Sequence, residues 1–404
     1  MTTLNHPVET THVAVPLPPL PYSRQWLDED DIDAVVRVLR GDWLTQGPVV
    51  GAFEKALAET CGARYAVAVS SGTAALHVAC LAAGVGPGDV GVTSPITFVA
   101  SANCIACCGG TPCFADIDPA TVTLDPAALE EVCVQRKPKV VIPVDFAGQP
   151  ADLPAIQAVA RRHGALVIED AAHSLGASYE HEGAWYKAGS SAHADMAVLS
   201  FHPVKHITTG EGGAVLTNSP ELYDRLQRLR THGITRDPAL LTHNDGPWYY
   251  EQHDLGYNYR ITDIQCALGL SQLKKLSRFV ERRRRLVERY REVLADLAGD
   301  VDLLVERPGR RSSYHLLVAR LRGGAERRRQ VFEALAARGI RCQVHYIPVH
   351  LQPWYRAQLG WRPGTFTSAE AYYESCVSLP LFPAMSDGDV ERVADALRLT
   401  MRKD

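Results

Sequence analysis

The sequence predicts an α/β protein with a large, mostly parallel mixed sheet and a smaller C-terminal α/β domain. Between residues 65 and 168, short apolar runs alternate with helical stretches of about ten residues, which is typical of βαβ units. The apolar runs lack polar alternation, as expected when helices cover both faces of a sheet. The composition, 46% hydrophobic and 22% charged, is that of a globular protein with a sizeable core.

The first half of the chain supplies most of the predicted sheet. A Pro-rich arm at 1–21 precedes a first helix, whose apolar spacing begins at Ile32 and ends before Gly41. The predicted strands are 65–69, 92–94, 112–116, 139–144 and 165–168. The helices predicted between them are 73–83, 99–108, 126–134 and 153–162.

The second half has a different organisation. Strands are predicted at 196–201 and 214–217, separated by a loop rich in Thr and Gly, and one long helical pattern covers 262–297. The basic run 282–285 in this pattern is interpreted as a solvated helix face. The remaining predicted elements are strand 314–321, helix 326–338, strand 341–346 and helix 387–399. We predict a flexible arm (1–21), a large domain (22–262) and a small C-terminal domain that includes the long helix (263–404).

Charge and cysteine content exclude several classes of function. The net charge of −4 provides no electrostatic footprint for nucleic acid. No apolar run reaches the roughly 20 residues of a membrane span, and the N-terminus lacks signal-peptide features, so we expect a cytoplasmic protein. Ten cysteines in 404 residues are too few for a disulfide scaffold. The group Cys104, Cys107, Cys108 and Cys113 is interpreted as structural thiols, and no metal is predicted.

Lys205 is the first candidate for catalysis. Lysine is scarce in this arginine-rich chain, and the other lysines lie in charged or surface-like contexts. Lys205 follows an apolar strand and leads into the glycine turn of SFHPVKHITTGEGG. A partly desolvated amine of this kind has a lowered pKa and suits Schiff-base chemistry. A surface lysine at a strand end is the alternative.

Three further strand ends carry matching groups. Asp170 follows a predicted strand, where a carboxylate can keep a pyridinium nitrogen protonated, as pyridoxal phosphate (PLP) requires. Ser70–Ala74 places small residues and hydroxyls at a helix start, where anions bind. Phe98 follows a third strand and could stack on a flat ring. Taken singly, the alternatives are a helix cap for Asp170, an ordinary N-cap for the segment Ser70–Ala74 and core packing for Phe98.

Taken together, these segments resemble the DegT/StrS group of PLP-dependent sugar aminotransferases, which have the fold-type I aminotransferase architecture. The resemblance extends over about residues 22–397. The matching segments are LTQG (44–47), SSGTAALH (70–77), SPITFVASAN (94–103), PVDFAGQP (143–150), IEDAAHSLGA (168–177), SFHPVKHITTGEGGAV (200–215), LRTHGI (229–234), GYNYRITDIQCALGLSQL (256–273) and VHYIPVH (344–350).

The resemblance implies a role for each matching residue. Lys205 would carry PLP covalently and shuttle protons, Asp170 would pair with the pyridine nitrogen, and His173 would contact the ring 3-hydroxyl. Phe98 would stack on the ring. The phosphate would be held by Gly72, Thr73, Ser200 and, from the neighbouring subunit, Asn258. The resemblance therefore also implies a homodimer with shared active sites.

Three segments resemble one branch of the group most: FHPVKHITTGEGG, GPWYYEQ and HYIPVHLQPWYR. That branch aminates C4 of a UDP-linked 2-acetamido-2,6-dideoxy-4-ketohexose in pseudaminic acid biosynthesis, with L-glutamate as the usual donor. The alternatives are a C3 aminotransferase of a dTDP-sugar and a non-catalytic regulatory protein with the same fold. A sugar 3-dehydratase of this fold has histidine in place of the lysine, so Lys205 argues against it.

Overall fold

The computed structural model describes residues 18–401, which contain thirteen α-helices and fifteen strands, numbered in chain order. The helices are α1 (Glu29–Leu39), α2 (Pro48–Cys61), α3 (Gly72–Ala82), α4 (Ala100–Cys107), α5 (Pro126–Arg136), α6 (Leu153–Arg162), α7 (Pro220–Arg230), α8 (Asp263–Leu273), α9 (Leu276–Val293), α10 (Gly324–Ala337), α11 (Pro353–Leu359), α12 (Thr367–Ser375) and α13 (Asp387–Met401). The strands are β1 (Tyr65–Val69), β2 (Val90–Thr93), β3 (Thr111–Phe114), β4 (Val140–Ile142), β5 (Leu166–Asp170), β6 (Ser178–His181), β7 (Ala184–Lys187), β8 (Met196–Ser200), β9 (Gly213–Thr217), β10 (Ile234–Thr235), β11 (Glu251–Gln252), β12 (Val301–Leu303), β13 (Arg310–Arg311), β14 (Leu317–Leu321) and β15 (Cys376–Leu379).

A seven-stranded sheet with the order β1-β9-β8-β5-β4-β2-β3 forms the centre of the fold. Strand β9 pairs antiparallel with both of its neighbours, whereas the other pairings are parallel. Six strands therefore run in one direction, and the predicted mostly parallel sheet is confirmed. Because parallel strands end at a common edge, the loops after β1, β2, β4, β5 and β8 meet there.

Helices cover both faces of this sheet. Val67 and Val198 lie in one core with α3, α4 and α7, while the alternate residues Ala66 and Ala197 lie in another core with α2. Val141, on β4, packs on the second face with α5 and α6. Each strand thus buries both sets of its alternating side chains, which explains why the sequence shows no polar alternation.

The C-terminal part of the chain forms its own antiparallel sheet, β12-β14-β15, with a core built mainly from α9, α10 and α13. Leu20 belongs to this core, and its N–H donates to the carbonyl of Gly339 at 2.8 Å. Residues 1–17 of the predicted arm lie outside the described part of the chain. The predicted domain limits stay predictions.

Some sequence predictions are wrong in detail. The helical pattern 262–297 divides into α8 and α9, which are separated at Lys274 and Lys275. The basic run is not wholly solvated, because Arg283 is fully buried and its Nη1 donates to three main-chain carbonyls. The predicted strand 341–346 is reduced to an isolated bridge between Gln343 and Ser378.

The cysteines are all free thiols. Cys104 is buried, with its Sγ 3.5 Å from Sγ of Cys80, while Cys107 is exposed. Within residues 18–401, no three His, Cys, Asp or Glu side chains are grouped as metal ligands would be. No helix of the described chain combines the length and the apolar content needed to cross a membrane.

Candidate active site

The sheet edge at which the parallel strands end brings the predicted residues together. Strands β1, β2, β5 and β8 each end there, and the loops that follow carry polar or aromatic side chains. The predicted residues at these ends and loops are Gly72, Thr73, Phe98, Asp170, His173, Ser200 and Lys205.

The start of α3 forms a cradle suited to an anion. Ser71 is the N-cap, and its Oγ accepts the N–H of Ala74 at 3.0 Å. A methyl group built on Gly72 would lie 2.8 Å from Cβ of Ser200, so glycine is required for this close approach. Thr73 is exposed on the first turn. The positive end of the helix, two hydroxyls and a bare backbone are thus available to a phosphate.

Asp170 is the last residue of β5 and is only 5% exposed. Its Oδ2 accepts the hydroxyl of Ser101 at 2.7 Å, and its Oδ1 accepts the N–H of Ala172 at 3.2 Å. Burial raises the pKa of Asp170, while these two donors and the charge of Lys205 act in the opposite direction. Because the donors that bond this buried carboxylate are neutral, it suits a positively charged ring nitrogen.

Lys205 lies in a compact loop between β8 and β9. Its N–H donates to the carbonyl of His202 at 2.8 Å, and the N–H of Phe201 donates to the carbonyl of Gly212 at 2.9 Å. Burial lowers the pKa of the Lys205 amine to about 8, although the charge of Asp170 acts to raise it. The neutral form of the amine, which acts as nucleophile and proton acceptor, is therefore easier to reach near pH 7 than for an ordinary lysine.

His173 faces the same region from the turn after β5. Its Nε2 lies 3.2 Å from the hydroxyl of Tyr346, whereas its buried Nδ1 has no hydrogen-bond partner among the described residues. Burial, assisted by the charge of Lys205, lowers the pKa of His173 well below its usual value. The ring is therefore neutral at pH 7 and offers one unused nitrogen.

Further histidines surround the lysine without having been predicted as site residues. The charge of Lys205 lowers the pKa of each: His206, His315 and His345. Burial is the larger cause in every case and brings the pKa of His345 to about 4. The charge of the buried Arg283 also lowers the pKa of His206 and His315. Lys205 and Arg283 are thus the cations beside these imidazoles at neutral pH, and the imidazoles are uncharged.

Segment 312–316, which follows β13, connects three of the edge loops. The N–H of Ser313 donates to the carbonyl of Gly148 at 2.9 Å, and its Oγ donates to the carbonyl of His173 at 3.3 Å. The carbonyl of Ser313 lies 3.1 Å from Nε2 of His206. The loops after β4, β5 and β8 are therefore held to one another through the main chain and the hydroxyl of Ser313.

Phe98 is 57% exposed and is not a core residue. Its ring centroid lies 6.3 Å from that of Tyr346, so two aromatic side chains flank the region next to His173. An exposed aromatic face at this place is available for stacking on a planar ring.

Asn258 lies near the cradle along the backbone, but its side chain is exposed and makes no hydrogen bond within the described chain. The preceding and following tyrosines, Tyr257 and Tyr259, stack at 5.1 Å. The carbonyl of Tyr259 accepts the N–H of Ser70 at 2.8 Å. The segment is thus fixed beside the cradle of its own chain while Asn258 faces outward.

Sequence reasoning assigned no role to four residues of this region: Ser101, Ser313, His315 and Tyr346. Ser101 and Tyr346 lie within segments that matched the resembled family, which was the available signal. Ser313 and His315 lie at the border of a predicted strand, where nothing in the pattern marks contact with a sheet edge distant in sequence.

The arrangement fits PLP. The unpartnered Nδ1 of His173, the buried carboxylate of Asp170 and the exposed ring of Phe98 match a hydroxypyridine ring. The cradle at Gly72, narrowed by Ser200, matches a phosphate.

The pattern of the DegT/DnrJ/EryC1/StrS aminotransferase family matches residues 25–398. The chain belongs to this family. Spore coat polysaccharide biosynthesis protein SpsC of Bacillus subtilis (strain 168) is 40% identical over 382 residues, which are 94% of this chain and 96% of SpsC. The family resemblance and the aminotransferase fold expected from the motifs are confirmed.

Two solved structures are similar over nearly the whole chain. One is Helicobacter pylori PseC, an aminotransferase involved in the biosynthesis of pseudaminic acid, with 32% identity, a TM-score of 0.87, and coverage of 96% of this chain and 100% of PseC. The other is the Streptococcus pneumoniae sugar aminotransferase Spr1654 in its PLP form, with 30% identity, a TM-score of 0.87, and coverage of 95% and 99%. The protein is a PLP-dependent sugar aminotransferase.

Proposed function

We propose that the protein transfers the amino group of L-glutamate to C4 of a UDP-linked 2-acetamido-2,6-dideoxy-4-ketohexose, as in the pseudaminic acid pathway. The observation that carries the proposal is the similarity to PseC, which extends over 96% of this chain. The lysine loop and segment 345–356 are among the segments that resemble this branch in sequence. Tyr346, in the latter segment, lies 3.2 Å from His173. The segment that supports the substrate assignment therefore borders the reacting centre.

PLP supplies an electron sink for the bonds broken at the carbon that carries the amino group. We assign Nζ of Lys205 to the covalent attachment of PLP and to accepting and returning a proton during the reaction, for which its pKa of about 8 is suitable. Asp170 holds the proton on the pyridine nitrogen through its carboxylate. His173 holds the 3-hydroxyl through Nδ1, its free nitrogen.

The remaining assignments concern binding. Phe98 stacks on the ring from its exposed position, which excludes water from that face. Three residues hold the phosphate: Gly72 and Thr73 through the start of α3, and Ser200 through its hydroxyl. These contacts fix the ring relative to Lys205 and Asp170, so that the proton transfers occur at short range.

A panel of nucleotide-ketosugars tests the substrate. With L-glutamate as donor, the UDP-linked 4-ketohexose should give a kcat/KM about 10-fold or more above that of dTDP-linked 3- and 4-ketosugars, because its N-acetyl and nucleotide groups each add contacts. The measurement is 2-oxoglutarate release, with NMR of the product to identify C4. L-Glutamine serves as the alternative donor in a parallel series.

A C3 aminotransferase of a dTDP-sugar is the second candidate. The dTDP-linked sugar of this candidate is favoured by the similarity to DesI, whose structure was solved in the presence of its TDP-sugar product, with a TM-score of 0.84 and 30% identity. A preference for a dTDP-linked 3-ketosugar in the same panel would replace the first proposal with this one.

We further propose that the enzyme is a homodimer in which Asn258 donates to the phosphate bound by the partner subunit. The exposed, unbonded side chain of Asn258 supports this, because an amide that served its own cradle would face Gly72 rather than solvent. The backbone of its segment is already fixed through Ser70, so the side chain is presented outward at little entropic cost.

Complementation tests the shared site. Co-refolding Lys205→Ala with Asn258→Ala protein should produce heterodimers with one doubly defective site and one intact site, and the heterodimer should recover toward half of wild-type activity. Lys205→Ala mixed with Asp170→Asn is the matched control, because both residues belong to one chain's site and no recovery is expected. Absence of recovery in the Asn258 mixture would contradict the proposal.

A further inference from the structure

We propose that Asp145 is a positioning residue that holds the turn 170–174 in the shape the cofactor site requires. The turn carries Asp170 and His173, so the inference rests on the roles proposed for these two residues. Asp145 itself lies in the loop after β4 and is fully buried, and none of the assignments above uses it.

Three contacts connect Asp145 to this turn and to its own loop. Its main-chain N–H donates to the carbonyl of Asp170 at 3.1 Å. Its Oδ2 accepts the hydroxyl of Ser174 at 2.6 Å, and its Oδ1 accepts the N–H of Ala151 at 2.8 Å. Asp145 therefore bonds both ends of the turn, one through backbone and one through its carboxylate.

Glu169 completes the arrangement from β5. Its side chain lies on the opposite face of the strand from that of Asp170, where both carboxyl oxygens accept the N–H of Gly189, at 3.1 and 3.2 Å. It also shares a hydrogen bond with Asp145. Burial and the neighbouring carboxylates raise the pKa of Glu169 well above its usual value. Glu169 is therefore the partner that keeps its proton to the higher pH, and in that form it donates to the Asp145 carboxylate.

The pair thus presents one negative charge and a fixed direction of hydrogen bonding. The Asp145 carboxylate receives three donors: Ala151, Ser174 and Glu169. An asparagine at this position has one acceptor oxygen and an NH₂ group, so at least one of these three hydrogen bonds must be lost or reverse its direction. A glutamine at position 169 keeps a donor toward Asp145 and an acceptor toward Gly189, and so reproduces the protonated acid.

The two isosteric variants, Asp145→Asn and Glu169→Gln, test the inference in the full-length enzyme with PLP alone. Asp145→Asn should weaken PLP affinity by about 10-fold, the effect of one buried donor left unbonded, and should move the midpoint of the pH titration of the bound cofactor's visible absorbance. Glu169→Gln should leave the PLP affinity within about twofold of wild type and the titration midpoint unchanged. Melting of the PLP-free protein, measured in parallel, separates fold stability from site geometry.

A lowered melting temperature of Asp145→Asn with unchanged PLP affinity and unchanged titration would overturn the inference, because Asp145 would then serve the fold alone. Equal losses in both variants would overturn it too. If Asp145→Asn fails to fold, Ser174→Ala removes the Ser174–Asp145 contact without a change of charge. This variant should weaken PLP affinity and move the titration midpoint in the same direction. Wild-type values in Ser174→Ala would count against the inference. No ketosugar is used, so an error in the proposed substrate leaves these readouts unaffected.

Discussion

Replacing Lys205 with alanine should abolish aminotransfer and remove the visible absorption band that borohydride bleaches in the wild-type protein. Burial lowers the pKa of this amine to about 8, and its loss removes both the covalent attachment point and the proton carrier. Turnover should fall by a factor of about 10⁴ or more, as when a nucleophile is deleted. The measurements are steady-state release of 2-oxoglutarate and the absorption spectrum of the purified protein.

Lys187→Ala is the matched control for this variant. Nζ of Lys187 donates to the carbonyl of Thr60 at 2.7 Å on an exposed strand, so the spectrum and the turnover should be retained. Peptide mapping after borohydride reduction should place the cofactor on Lys205. Labelling of Lys187 or Lys274 instead would contradict the assignment.

Asp170→Asn should reduce turnover by about 10²–10³, the usual effect of losing one preorganised charge interaction. The variant keeps the shape of the side chain, but it leaves a neutral amide where a buried carboxylate accepts Ser101 at 2.7 Å. Without the negative charge the ring nitrogen of PLP loses its proton, and the cofactor becomes a weaker electron acceptor. Turnover of the PLP-saturated variants provides the measurement.

Ser101→Ala serves as the control for Asp170→Asn, because it removes one hydrogen bond and leaves the charge in place. This variant should reduce turnover by about 10-fold, near the effect of losing one hydrogen bond to a charged group. Wild-type turnover in Asp170→Asn would show that the residue acts only as a cap for the following turn.

The sequence predicted the large sheet and most of its site because local signals and topology coincide there. Apolar runs such as Tyr65–Val69 mark buried strands, and parallel strands deliver their C-terminal residues to one edge. Asp170 and Lys205 could therefore be placed near each other without knowledge of long-range contacts. The family motifs added His173, whose neighbours are distant in the chain.

The parts that were missed depend on contacts that no local pattern encodes. Arg283 belongs to a basic run on an amphipathic helix, yet main-chain carbonyls from two distant segments bury it. Residues 341–346 have strand-like composition, but their backbone pairs with Leu20 at Arg341 and with Ser378 at Gln343, so no continuous ladder forms. Ser313 lies beside a predicted strand, and its bonds to Gly148 and His173 arise from tertiary packing alone.

Segment 312–316 also determines when the site can be completed during synthesis. The seven strands of the large sheet have all left the ribosome's decoding centre once residue 217 has been added, whereas Ser313 follows about 100 residues later. At roughly 5–20 residues per second this interval lasts about 5–20 s. During it, the loops that carry His173 and His206 lack the bonds supplied by Ser313. We therefore expect nascent chains stalled before residue 312 to hold PLP poorly, so that cofactor capture is an event of the nearly finished polypeptide.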